Sequence, residues 1–187
     1  MRLVEGVASV DDVDAFLTRL GDAAATDDCA VQAFDARYVT GRAHLEAAVE
    51  HASRAFERGE NVARDRAVEI LLYAAGRRQI DQALAMGVGE GEQPVVVVVD
   101  CGGGDGDVEG AEAMANDAAA TAVEDAEAAT ADVVADLLTP AETLDSDVTD
   151  RELVREFFGV TEAELAATDA DLADLVRERV ALLDVEK

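Results

Sequence analysis

The chain has 187 residues, half of them apolar and 4% aromatic, and its 42 acids against 15 Lys and Arg leave a net charge of −27. That length fits one domain whose core is filled by Val, Leu and Ala; no apolar run approaches the roughly 18–20 residues of a membrane span, and the start lacks a signal-peptide pattern. Cys29 and Cys101 are isolated, form no CxxC and suggest no disulfide framework, so a cytoplasmic setting is expected.

Leu3–Val7 reads as a first strand. Asp11 and Asp12 start a helix on which Val13, Phe16, Leu17 and Leu20 recur at helical spacing, and Gly21 is expected to stop it. Ala30–Phe34 is a second strand, and Thr40 an N-cap for a helix with Leu45, Val49, Ala52 and Phe56 on one face and Gly59 at its end. Asp65 caps the following helix, whose Val68, Ile70, Leu71 and Leu72 mark it as largely buried. Five valines in succession, Val95–Val99, suit a strand covered on both faces. A glycine- and acid-rich loop over 102–107 then leads to an alanine-rich helix, with 12 alanines among residues 111–135, expected to be exposed or loosely packed. Pro140 and 143–150 read as a linker. Helix returns at Arg151–Phe158 and Glu162–Leu165, and Leu172, Leu175, Val176 and Val180 stripe the last helix. Strands and helices intermixed in this way argue an α+β or α/β sandwich.

Arginine outnumbers lysine 14 to 1. High acidity with almost no lysine is the pattern of a chain kept solvated in concentrated salt, which relieves the self-repulsion of such a charge; a halophilic, archaeal source is expected. Residues 37–78 nevertheless hold 8 arginines against 6 acids, while Gln79–Asp150 contains neither Lys nor Arg. This arginine-rich island is where an anionic partner could dock. The plainer reading is that these arginines pair with Glu46, Glu50, Glu57 and Glu69 along helices.

No catalytic constellation stands out. The loop after Val99 lacks the Gly-Lys-Ser/Thr of a phosphate loop and the third glycine of a dinucleotide loop, and its aspartates lack the order of a calcium loop. His44 and His51 lie seven residues apart on one predicted helix, roughly 10 Å along its axis, too far for one metal. Arg77, Arg78 and Gln79 differ from these. They follow Gly76 and open a second apolar run, where free backbone N–H groups favour an anion, and guanidinium groups fork onto phosphate and stack on bases. Asn61, Arg64 and Arg66, on the loop before the Asp65 helix, can fold to the same side.

Glu69-Ile70-Leu71, then Gly76, Arg78, Gln79 and Ile80, resemble the motif of the KEOPS-complex subunits that bind the complex's small kinase/ATPase, the PRPK-binding protein (TPRKB) family. Residues 43–56, 59–63, 153–158 and 180–185 resemble that family's preceding helix, loop, closing helix and last strand, whereas 102–136 stands outside as an acidic Gly/Ala-rich insertion, expected to be dispensable for partner binding. The resemblance implies an α+β fold, a small mixed β-sheet with helices packed around it, in a single domain over 1–187. It implies a non-catalytic subunit, without cofactor, that binds the kinase/ATPase subunit and meets other KEOPS subunits indirectly. In archaea it also recruits tRNA by its 3′ CCA end for threonylcarbamoyladenosine modification. Gly76, Arg78 and Gln79 take the family's motif places, with Arg77, Asn61 and Arg64 beside them for tRNA; Arg64 stands where the family usually has asparagine. Ile80, Ala83 and Leu84 share one helix face and are the expected partner interface. Two other readings stay open: a small-molecule-binding α/β enzyme using the 95–107 strand and glycine loop, and a protein-only scaffold without tRNA binding.

Overall fold

The structure is a computed structural model that describes the chain apart from residues 26, 28, 103–112, 146 and 185–187, with side chains of 113–117 also outside the description. The β-strands are β1 (Arg2–Val10), β2 (Ala30–Asp35), β3 (Gly91–Asp100) and β4 (Thr139–Pro140). The helices are α1 (Val13–Ala25), α2 (Arg42–Glu57), α3 (Arg66–Ala75), α4 (Ile80–Ala83), α5 (Ala113–Ala135), α6 (Arg151–Phe158), α7 (Glu162–Ala167) and α8 (Leu172–Leu182). The sheet order is β2-β3-β1-β4. The expected α+β class is the class observed, but the expected mixed sheet is antiparallel in every pairing. The reason is topological. The crossover through α1 carries β2 parallel to β1, and β3 then inserts between them, turning one parallel pair into two antiparallel ones.

The valine run explains the layers. Val96 and Val98 point into one core with Phe34, Leu45, Ile70, Leu72, Val154 and Val176, which come from β2, α2, α3, α6 and α8. Val95, Val97 and Val99 point into the other, with Phe16 and Leu20 of α1 and Val134 of α5. All five are fully buried, as a strand with side chains alternating between two covered faces requires. Each helix layer is therefore needed to hide one set of valines.

Several boundaries differ from expectation. Helix α1 runs past Gly21 to Ala25, because Phe16, Leu20 and Ala23 keep one face buried on either side of the glycine. Thr40 does not cap α2. Gly41 takes that place at φ 118°, and the Thr40 N–H donates to His44 Nδ1 at 3.4 Å. The alanine-rich helix is exposed over 118–122 but buries Glu127, Thr130 and Val134, three positions on one stripe, against the sheet. Residues 139–144 are fastened rather than slack. β4 pairs Pro140 with Gly6, where a Cβ would come within 2.8 Å of Leu138 Cβ and 2.7 Å of Thr139 O. The Glu5 carboxylate accepts the Thr143 and Leu144 N–H groups at 2.7 and 2.8 Å. Residues 180–182 are helical where a last strand was expected to begin, and Val185 lies outside the described residues, as does the glycine-acid loop from 103.

Candidate functional site

Helix α3 organises the arginine island. Asp65 caps its start, accepting from the Ala67 and Val68 N–H groups, as the sequence indicates. One turn in, Glu69 is 1% exposed. Its carboxylate faces back along the chain and accepts Val62 N–H at 3.0 Å and Ala63 N–H at 2.7 Å. A buried acid thus serves as the anchor of the 61–64 loop, with two charge-assisted bonds compensating its desolvation. Asn61 donates locally to Ala63 O at 2.8 Å, and Arg64 is exposed beyond it with no ion pair to another described residue. Arg66 is held by Asp100 at 2.5 Å and by Ser53 Oγ at 2.7 Å, tying the helix start to the end of β3.

The helix ends in a left-handed Gly76, φ 57°, whose N–H bonds to Tyr73 O while Arg77 N–H reaches Leu72 O. This paired closure is how an αL glycine terminates a helix. A side chain at Gly76 would also meet Arg179 of α8, 3.5 Å away. Of the backbone N–H groups that follow α3, the first two turn back into it. Those of Gly76 and Arg77 are already bonded, and α4 is only four residues long.

Arg78 of the motif and Arg77 beside it are both half-buried and both engaged. The Arg77 guanidinium lies over the Phe157 ring, 5.3 Å from its centroid, and donates to Phe157 O. Arg78 donates through Nη2 to Leu183 O, while its buried Nε has no partner among the described residues. Gln79 is exposed and accepts from the Gln82 side-chain amide. On α4, Ile80 and the following Leu84 are 45% and 57% exposed, whereas Ala83 is fully buried. An apolar contact from this segment would therefore be carried by Ile80 and Leu84, with Ala83 in the core because it faces α3.

Sequence reading missed a polar cluster beside Arg78. Asp184 accepts Tyr73 OH at 2.6 Å and pairs with His51 Nδ1 at 2.7 Å, and the two rings stack with centroids 5.7 Å apart. Burial raises the Asp184 carboxyl, but the bonds from Tyr73 and His51 outweigh it and hold the group below its ordinary value. Tyr73 is driven up, first by burial and then by the Asp184 bond. This His–Asp–Tyr set ties Asp184 to α2 and α3. His44 is wholly buried, with Nε2 2.8 Å from Ala74 O, and burial lowers its pKa to about 4. It is a neutral core residue donating from Nε2 and accepting at Nδ1. No group of three or more His, Cys, Asp or Glu side chains among the described residues could hold a metal ion.

The sequence reading also missed a covalent bond. Cys29 and Cys101 form a disulfide, Cα atoms 4.1 Å apart. The absence of a CxxC carried no information here, because the pairing is made by strands and not by local spacing. The signal available was positional: one cysteine just before β2, the other just after β3.

A family model described as kinase binding protein CGI-121 matches residues 8–184. No curated protein matches the chain.

Proposed function

The chain belongs to the CGI-121 family of kinase-binding proteins, and from that premise we propose that it is the non-catalytic KEOPS subunit that binds the small kinase/ATPase and recruits tRNA by its 3′ CCA end. What supports the RNA part is the arginine island: Arg64 exposed on the Glu69-anchored loop, Arg77 and Arg78 emerging from the Gly76 turn, and Gln79 open beside them. What supports a kinase contact beside it is the exposed pair Ile80 and Leu84. Threonylcarbamoyladenosine chemistry then belongs to another subunit of the assembly, and the cytoplasm of a halophilic archaeon is the proposed setting.

Salt constrains how such a site works. At molar ionic strength the screening length is about 3 Å, and counterion release weakens each phosphate contact steeply. Binding must then come from stacking, forked hydrogen bonds and a shaped surface for a few unpaired nucleotides, which allows the rest of the protein to stay strongly acidic. The experiment is a pull-down with the kinase subunit, followed by a gel shift in molar KCl with tRNA carrying or lacking its CCA end. Retention of the kinase with CCA-dependent shift is expected; retention with no shift for either tRNA removes the RNA role.

One observation favours that second outcome, a protein-only scaffold. Arg77 and Arg78 each spend a guanidinium N–H on a backbone carbonyl of this same chain, so RNA has to use their remaining donors and faces. The enzyme reading has no comparable support, since every valine of 95–99 is committed to the two cores.

A further inference from the structure

We propose that the Cys29–Cys101 disulfide is a reversible redox latch on the open end of the β2–β3 ladder, opened by a dithiol reductant. The register makes the pair. Ala30 faces Asp100 as the last rung, so Cys29 and Cys101 are the next facing positions outward, and the bond closes the ladder where backbone pairing stops. It spans 72 residues of sequence, yet the strands it joins are already packed on both faces by apolar side chains. The fold has reason to survive its opening.

The surroundings suit both states. Cys29 is 9% exposed, and its sulfur lies 3.6 Å from Asp27 O and 3.5 Å from Thr130 Oγ1, oxygens placed to accept an S–H when the bond is open. Cys101 is only half-buried at the strand end, which makes its sulfur the one open to attack. A reductant thiolate bonds to Cys101 Sγ and expels Cys29 as thiolate, which takes a proton. The second reductant thiol then displaces Cys101, so the pair gains two electrons and two protons while the dithiol becomes a disulfide. Disulfides that do occur in cytosolic chains are usually of this transient, sensing kind. The consequence is local and specific. Cys101 N–H donates to Glu127 of α5, and the neighbouring Asp100 holds Arg66 at the start of α3. Opening the latch therefore loosens the strand end at the point where α5 and α3 are tied to it.

The test uses the full chain in molar KCl, purified without reductant, alkylated and weighed intact, then melted with and without dithiothreitol beside Cys29→Ser/Cys101→Ser. The latch requires no adduct before reductant and two after it. It also requires a melting midpoint lower by roughly 5–15 °C on reduction, recovered on reoxidation. The double variant should melt like the reduced protein and ignore dithiothreitol. Two adducts in protein first treated with oxidised glutathione, or a midpoint unmoved by reduction, overturns the proposal. So does irreversible unfolding on reduction or a double variant that cannot fold, since either makes the bond a fixed staple.

Discussion

Replacing Glu69 tests whether one buried carboxylate shapes the arginine-bearing loop. In Glu69→Ala the Val62 and Ala63 N–H groups, bonded at 3.0 and 2.7 Å, lose their acceptor. Ala63 is 7% exposed and has no route to water, whereas Val62 sits at the surface and can rehydrate. A hydrogen bond to a charged group contributes about 1.5–3 kcal/mol, and an orphaned buried donor costs about 1–3 kcal/mol, so a loss of roughly 2–4 kcal/mol is expected after Val62 recovers part of its share. Glu69→Gln keeps the oxygen that accepts from both Ala63 and Val62 and loses the charge and the longer second contact to Val62, which should cost about half as much. Guanidinium denaturation in molar KCl, followed by far-ultraviolet circular dichroism, measures both. tRNA affinity at a salt and temperature where each variant is folded measures the loop, and it should fall for both because Asn61 and Arg64 lose their fixed position. An alanine variant within about 0.5 kcal/mol of the parent, or one that is destabilised yet binds tRNA normally, refutes the reasoning.

Protonation of His44 gives a second measurement. Its folded pKa of about 4 lies below the ordinary 6.5, so the unfolded chain takes up a proton below pH 6.5 that the folded chain refuses until about pH 4. Stability is therefore lost as pH falls through that window, by about 3 kcal/mol, and His44→Gln should be less pH-sensitive by that amount; parallel stability–pH curves would exclude it. Arg78→Lys and Arg78→Glu should each weaken intact tRNA by roughly 5- to 150-fold in high salt, since an ammonium offers neither planar face nor fork. tRNA without CCA should not distinguish the variants from the parent, and normal RNA binding with a lowered melting point would make Arg78 solely the tether of Leu183. Excising 102–136, which the sequence alone suggests is harmless, removes Val134 and Glu127 from a sheet face of fully buried valines. The excised protein should lose cooperative melting, and an unchanged melting curve would show α5 to be peripheral.

What the sequence determined by itself is what neighbours within a turn or two decide. The five valines alternate into two cores because pleated side chains must, Asp65 caps α3 because its carboxylate reaches N–H groups two and three residues on, and Gly76 ends the helix because it takes φ 57° without strain. The family motif is legible for the same reason, being one helix, one glycine turn and the residues that follow. Tertiary structure decided everything that depends on which strand lies beside which. Cys29 meets Cys101 across 72 residues, Arg78 meets Leu183 across 105, and His51 meets Asp184 across 133. No periodicity encodes such distances; they follow from β3 entering between β1 and β2 and from α8 returning against α2 and α3. Arg77 and Arg78 show the difference most plainly. Their clustering was visible in the chain, but that Phe157 and Leu183 already hold one donor of each was decided only when α6 and α8 packed beside Gly76.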